Sequence, residues 1–140
     1  MCLLKVYSNI DSFESFSKIT NIPVFSYGNK GEQKINSNKI LDDYRISFDV
    51  SGKEWDNFDV QINDAILFLE KYKEQIQYLI ATHSITNAYL DFPLWSRLDG
   101  NIVNQNDHIP RELIKIAGEL NIGIEIAIYA QDAFEDDKDS

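Results

Sequence analysis

The sequence contains little cysteine and little glycine, and each shortage excludes a class of protein. Cys2 is the only cysteine in 140 residues, so neither an internal disulfide nor a cysteine-rich metal site can form within this chain. The six glycines form neither a Walker loop nor a Gly-x-Gly-x-x-Gly fingerprint. Disulfide-stapled scaffolds and nucleotide enzymes built on these motifs are therefore disfavoured.

Histidine is scarce as well, and the two that occur form no recognisable site. His83 and His108 belong to no zinc-binding pattern of the His-Glu-x-x-His type. His83 stands at the end of a predicted helix, where a cation interacts favourably with the helix dipole, and His108 stands just before another helix. The sequence has no Gly-x-Ser-x-Gly nucleophile motif and no calcium-binding loop. We therefore predict no catalytic residues, no metal site and no cofactor.

Long apolar runs are also missing. No stretch of the chain approaches the roughly 20 apolar residues of a membrane-spanning helix. The opening residues, Met1-Cys2-Leu3-Leu4-Lys5, lack the basic flank and long apolar core of a signal peptide. We therefore expect a cytoplasmic protein that does not associate with a membrane.

Basic residues are outnumbered by acidic ones. The chain has 23 Asp and Glu against 13 Lys and Arg, which gives a formal net charge of −10. Such a field repels a polyanion, and phosphate contacts need a basic face, so we predict that the chain does not bind nucleic acid. A basic protein partner is favoured instead. The simpler interpretation is that the acidity keeps a small protein soluble.

Apolar residues are plentiful enough for one hydrophobic core. They make up 44% of a chain whose length is typical of a single domain. Helical periodicity predicts helices over residues 9–21 and 59–82, and a third helix that begins at Pro110. Alternation of apolar and polar residues predicts strands over residues 3–7, 44–50, 85–92 and 124–129.

The segments between these elements complete the predicted architecture. Residues 27–43 read as a long polar loop, and residues 94–103 read as a hairpin that turns at Asp99-Gly100-Asn101. We predict one α+β domain over residues 1–130, a two-layer sandwich with about three helices on a mixed sheet of four or five strands. A ferredoxin-like topology is one version of it. Residues 131–140 are predicted to form an acidic, flexible tail.

Two large aromatic residues alternate with acidic and polar residues before the second predicted helix, in the run Glu54-Trp55-Asp56-Asn57-Phe58-Asp59. Aromatic side chains supply contact area, and surrounding carboxylates attract Lys or Arg on a partner. We predict a partner-binding surface there, to which Trp95 adds a weaker candidate; its residues are Glu54, Trp55, Asp56, Phe58, Asp59 and Trp95. The alternative is that Trp55 and Phe58 turn inward and cap the core.

Sequence motifs near both ends of the chain are similar to those of a known protein family. The opening strand runs into Ile10-Asp11-Ser12-Phe13, a turn at Asn21-Ile22-Pro23 follows, and the chain closes with Leu120-Asn121-Ile122-Gly123-Ile124-Glu125-Ile126-Ala127-Ile128-Tyr129. This layout resembles the uncharacterised bacterial family known as domain of unknown function 4279 across most of the chain. The resemblance implies a bacterial origin and supplies no catalytic residues. The chain is also similar in size and acidity to immunity proteins encoded beside secreted bacterial toxins.

Three functional hypotheses follow from these observations. The first is an immunity protein that neutralises a basic, nuclease-type toxin domain by steric and electrostatic blocking, since nucleases are basic where they bind phosphates. The second is a small-molecule enzyme, which requires a cleft with titratable groups around His83 or His108. The third is a regulatory or structural module, such as a homodimer that pairs through an exposed sheet edge.

Overall fold

The computed structural model describes residues 1–34 and 37–134. Within these ranges the chain forms five strands, which are β1 (Cys2–Ser8), β2 (Val24–Gly28), β3 (Tyr44–Ser51), β4 (Ile85–Trp95) and β5 (Gly123–Tyr129). The helices are α1 (Glu14–Ile19), α2 (Phe58–Lys71), α3 (Lys73–Thr82) and α4 (Arg111–Glu119). None of these helices is long and apolar enough to cross a membrane. The predicted α+β sandwich is confirmed, with one more helix than expected.

The strands form one mixed sheet in the order β2-β3-β1-β4-β5. The central strand β1 is antiparallel to β3 and to β4, and β2 is antiparallel to β3. Up to β4 the chain follows the β-α-β-β-α-β order of a ferredoxin-like domain, with the second helical connection divided into α2 and α3. α4 then leads to β5, which extends the sheet as a parallel neighbour of β4.

The helices bury one face of the sheet. Along β1, fully buried residues alternate with half-exposed ones, which are Leu3, Lys5 and Tyr7. The buried residues of the strands join the apolar faces of the helices in one core, which includes Leu4, Phe48, Leu69, Leu79, Leu90 and Leu113. The opposite face of the sheet, which we call the open face, carries the half-exposed residues. A two-layer architecture follows from this one-sided burial.

The long helix predicted over residues 59–82 is two helices, which meet at Tyr72. The backbone of Tyr72 leaves helical geometry, with φ −106° and ψ 17°, although its amide still donates to the carbonyl of Phe68 at 3.0 Å. Its ring packs edge-on against Phe68, with centroids 5.0 Å apart. Periodicity alone predicts one helix because the buried stripe continues across the bend, through Ile62, Leu69, Ile76 and Leu79.

The first predicted helix is shorter than expected, because α1 begins only at Glu14. The amides of Ile10 and Asp11 donate to Ser8 Oγ, at 3.2 and 3.0 Å, so this segment forms a turn. The Asp11 carboxylate accepts the amide of Ser84 at 2.6 Å. Its side chain therefore connects this turn to the start of β4 and does not cap α1.

The strand predicted to end before Pro93 continues through it to Trp95. Strand alternation directs the Pro93 nitrogen toward β1, whose pairing with β4 ends at Asp91. No hydrogen bond to β1 is therefore lost at Pro93, while the pairing of β4 with β5 continues on the other side.

The hairpin predicted over residues 94–103 is wrong, because residues 96–110 form a loop that leads to α4. The turn within it does form, since the Asp99 carboxylate accepts the amides of Ile102 and Asn101 at 2.7 and 2.6 Å. These hydrogen bonds hold the pKa of the Asp99 carboxyl below its ordinary value.

The polar loop predicted over residues 27–43 overlaps a strand. β2 ends at Gly28 and pairs with β3, and an isolated bridge joins Gln33 to Ile40. Leu41, which belongs to this segment, is buried. Residues 35 and 36, also within the predicted loop, lie outside the described residues.

The first residues of the predicted tail are ordered against the aromatic side chains of the sheet end. Residues 131–134 form a turn, and the ring of Phe134 lies 5.9 Å from that of Trp55 and 5.8 Å from that of Trp95. Residues 135–140, which hold most of the predicted tail's acidic side chains, lie outside the described residues.

Candidate functional site

Four aromatic rings meet at one end of the open face. Trp55 lies against Trp95, with ring centroids 4.7 Å apart, and against Tyr129, with centroids 4.9 Å apart. Phe134 completes the group, 5.8 to 5.9 Å from the other three rings. We call these four residues the aromatic cluster. Tyr129 is 38% exposed and Phe134 54% exposed, so the aromatic cluster is a surface feature.

Strand register places two of these rings side by side. Trp95 and Tyr129 are the last residues of β4 and β5 and are directly paired. Because paired residues of neighbouring strands lie on the same face of a sheet, both side chains project from the open face. The amide of Ser96 donates to the Tyr129 carbonyl at 2.7 Å, and the Gln131 side chain donates to the Ser96 carbonyl. These bonds hold the two strand ends together.

The loop between β3 and α2 carries Trp55 to the other two strands. The carbonyl of Glu54 accepts the amide of Asn57 and the side-chain Nε2 of Gln61, both at 3.1 Å. Gln61 is completely buried, so the loop is held from inside the core. Trp55 itself is half-buried against the other rings.

Phe58, predicted above to contact a partner, is a core residue. It is 7% exposed, and its ring packs edge-on against Phe92 with centroids 5.5 Å apart. Phe58 opens α2 and lies one turn before Ile62, on the helix face that points into the core. The partner-binding surface is corrected on this point, and the inward orientation considered for Phe58 is the one the structure has.

Carboxylates flank the aromatic cluster in sequence. Glu54, Asp56 and Asp59 are all exposed along the loop and the first turn of α2. Beside them lies an open groove of about 500 Å³ between the start of α2 and the loop of residues 96–110, lined in part by Asp56, Asp59, Arg97, Asp107 and His108. Arg97 donates to the Asp107 carboxylate at 2.8 Å. With three carboxylates and one guanidinium, the groove keeps a net negative charge.

The two histidines have different surroundings. The His83 ring stacks on Phe13, with centroids 5.2 Å apart, and its Nδ1 lies 3.2 Å from the carbonyl of Leu79. It therefore packs α3 against α1. His108 is exposed and lines the groove. Within the described residues, no three His, Cys, Asp or Glu side chains are placed to hold a metal ion.

Polar groups across the middle of the open face are paired with one another. Lys5 Nζ lies 2.7 Å from Asp91 Oδ2, and the rings of Tyr7 and Tyr89 stack with their hydroxyls 3.3 Å apart. Burial lowers the pKa of Lys5, but the hydrogen bond and charge of Asp91 outweigh burial and leave the pKa above its ordinary value of 10.5. Burial, followed by the hydrogen bond with Tyr7, raises the pKa of Tyr89.

Two members of the aromatic cluster, Tyr129 and Phe134, are not among the predicted site residues. Tyr129 ends a strongly alternating strand. Its position beside Trp95 depends on the order of the strands in the sheet, and the alternation of apolar and polar residues does not predict that order. Phe134 belongs to the predicted tail, where a single aromatic residue among acids was the available signal.

No family model, curated protein or solved structure matches this chain. The resemblance to domain of unknown function 4279 therefore stays a prediction. The aromatic cluster, the flanking carboxylates and the groove are the structural features that bear on its function.

Proposed function

We propose that this chain is an immunity protein that binds and neutralises a cognate bacterial toxin domain, and that the toxin is basic and of the nuclease type. The observation that supports the proposal is the joining of an exposed aromatic cluster to exposed carboxylates on one surface. The proposed mode of inhibition is steric and electrostatic blocking of the toxin's phosphate-binding surface.

The aromatic cluster has the chemistry of an interface anchor. Trp and Tyr are enriched among the residues that carry most of the binding free energy in interfaces. Their π-faces attract Arg and Lys, and an Arg guanidinium can stack on them. Because the rings already pack against one another, little side-chain entropy is lost when a partner covers them. A partner rich in Arg therefore suits this surface.

Charge supplies the rest of the recognition. The net charge of −10 steers a basic protein toward the chain, and Glu54, Asp56 and Asp59 concentrate negative charge beside Trp55. A stable interface covers about 800 Å² on each partner. This area exceeds that of a few rings, so the contact is proposed to extend into the acidic groove beside His108.

The test is co-expression with the C-terminal domain encoded by the neighbouring reading frame, followed by binding measurements on the purified pair at low and high salt. We expect this domain to be toxic alone and harmless with the chain, and the complex to weaken as salt rises. Trp55→Ala should weaken binding at least about 30-fold, as expected for a central anchor.

A matched pair of charge reversals locates the contact. Asp56→Lys lies beside Trp55, whereas Glu70→Lys makes the same charge change near the other end of α2. Asp56→Lys should weaken binding at least about tenfold and Glu70→Lys by less than about threefold. Equal effects of the two reversals, or a harmless neighbour that does not bind, would argue against the proposal.

A small-molecule enzyme is the second candidate, because the groove gathers His108, Asp56, Asp59 and Asp107 around one concave surface. Ligand screening of the purified chain separates the two functions. A ligand whose binding is lost in His108→Ala but kept in Trp55→Ala would favour the enzyme. A regulatory or structural module would bind a partner without suppressing toxicity.

A further inference from the structure

The two edge strands of the sheet differ in how well they are protected against pairing with another chain. The edge strand β2 has five residues, and its pairing with β3 is interrupted by a register shift between Val24 and Ser26. The other edge strand, β5, has seven residues paired with β4 in unbroken register. It contains no proline and no lysine, and Glu125 is its only charged residue. Bulges, short length, proline and lysine are among the devices that keep edge strands from pairing with another chain, and β5 has none of these four.

The free side of β5 can be identified from one hydrogen bond. The Tyr129 carbonyl accepts the amide of Ser96 and therefore faces β4. Backbone groups of successive residues in a strand point to opposite sides. Those of Ile124, Ile126 and Ile128 consequently point away from β4, and in the described part of the chain no strand pairs with them.

We propose that β5 pairs with β5 of a second copy of this chain, antiparallel and centred on Ile126. In this register Ile126 faces Ile126 of the partner copy, Ile124 faces Ile128, Glu125 faces Ala127, and Gly123 faces Tyr129. The two five-stranded sheets join into one sheet. The backbone amides and carbonyls of Ile124, Ile126 and Ile128, which point away from β4, then form hydrogen bonds with the second copy.

The sequence of β5 is complementary to itself in this register. Glu125 lies opposite Ala127, so two like charges do not oppose each other. Tyr129 lies opposite Gly123, a pairing in which an aromatic ring covers a glycine. Ile128, 57% exposed, comes to lie beside the partner copy's Ile124 on the helix side of the sheet. A register centred on Glu125 places the two glutamates together and is disfavoured.

The chain after β5 leaves this edge open as far as it is described. Residues 131–134 turn back toward the open face, where Phe134 contacts Trp55. In the dimer both aromatic clusters lie on the same face, with the two Tyr129 positions about 20 Å apart along the paired strands, at about 3.4 Å per residue. Pairing through β5 is independent of the proposed immunity function.

Sedimentation of the purified chain over a wide concentration range tests the proposal. The wild type should dimerise reversibly. Ile128→Pro should be a folded monomer, because the amide of residue 128 points to the free side and is not needed for the pairing with β4. Phe25→Lys, on the β2 edge, is the control and should dimerise like the wild type. A wild type that stays monomeric at every concentration, or an Ile128→Pro dimer, would overturn the proposal.

Opposite charges at one position test the register. Ala127→Glu places a glutamate opposite Glu125 of the second copy, and Ala127→Lys places a lysine there. The dimer dissociation constant of Ala127→Glu should exceed that of Ala127→Lys by at least about tenfold, since the pair occurs twice in the symmetric dimer. Circular dichroism confirms that both variants fold. Equal dissociation constants would contradict the register centred on Ile126.

Discussion

The indole of Trp55 packs against that of Trp95, with ring centroids 4.7 Å apart and planes inclined by 44°. One indole belongs to the loop after β3 and the other to the end of β4. Their contact fixes the loop, with its carboxylates, against the end of the sheet. The surface proposed to bind a toxin is therefore ordered before the partner arrives, which lowers the entropic cost of binding.

A double-mutant cycle measures how strongly the two indoles interact. Trp55→Ala, Trp95→Ala and the double variant should show a coupling free energy of about 0.5–1.5 kcal/mol in urea unfolding, as found for aromatic pairs beyond their buried area. The control cycle combines Trp55→Ala with Tyr27→Ala on the β2 edge, and these two changes should be additive. Additivity of the two tryptophan variants would show that their contact contributes nothing to stability.

Part of the candidate site could be read from the sequence. Trp55 and Trp95 stand among acidic and polar residues, and this context predicts both as contact residues. Their proximity could not be predicted, because it depends on β4 continuing through Pro93 to Trp95. Proline normally signals the end of a strand, and the signal fails here because the pairing of β4 with β1 does not extend past Asp91.

The fold was predictable where one face of an element is buried. The alternating residues of β1, β3 and β5 identify strands, and the apolar stripe of α4 identifies a helix. The bend at Tyr72 could not be predicted, because no glycine or proline lies near it in the sequence. The sequence does not predict the strand β2, because most of its residues are exposed at a sheet edge, where alternation is weak.

Neighbouring residues at the start of α2 should respond differently to truncation. Phe58→Ala removes a ring that packs on Phe92 in the core and should lower the free energy of unfolding by about 3 kcal/mol or more. Asp59→Ala removes an exposed carboxylate from the first turn of α2 and should change it by less than about 1 kcal/mol. Urea unfolding of both variants is the measurement. Similar losses in the two variants would contradict the placement of Phe58 in the core.

The open face makes stability sensitive to alkaline pH. The pKa values of Lys5 and Tyr89 lie above their ordinary values of 10.5 and 10.0. Each group therefore holds its proton more tightly in the folded chain than in the unfolded chain. Its contribution to stability is complete below the unfolded pKa and is lost as the pH rises through the folded pKa. These two groups should accordingly lower the free energy of unfolding once the pH exceeds about 10.

Removing the Tyr89 hydroxyl measures how much this residue contributes to the alkaline decrease in the free energy of unfolding. Tyr89→Phe keeps a ring to stack on Tyr7 but cannot ionise, so its free energy of unfolding should decline less steeply than that of the wild type between about pH 9 and about pH 11. Tyr27→Phe removes a hydroxyl from an exposed tyrosine on the β2 edge and should keep the wild-type slope. Urea unfolding at each pH gives the slopes. If Tyr89→Phe and the wild type decline in parallel, burial of the Tyr89 hydroxyl against Tyr7 is not a source of the alkaline instability.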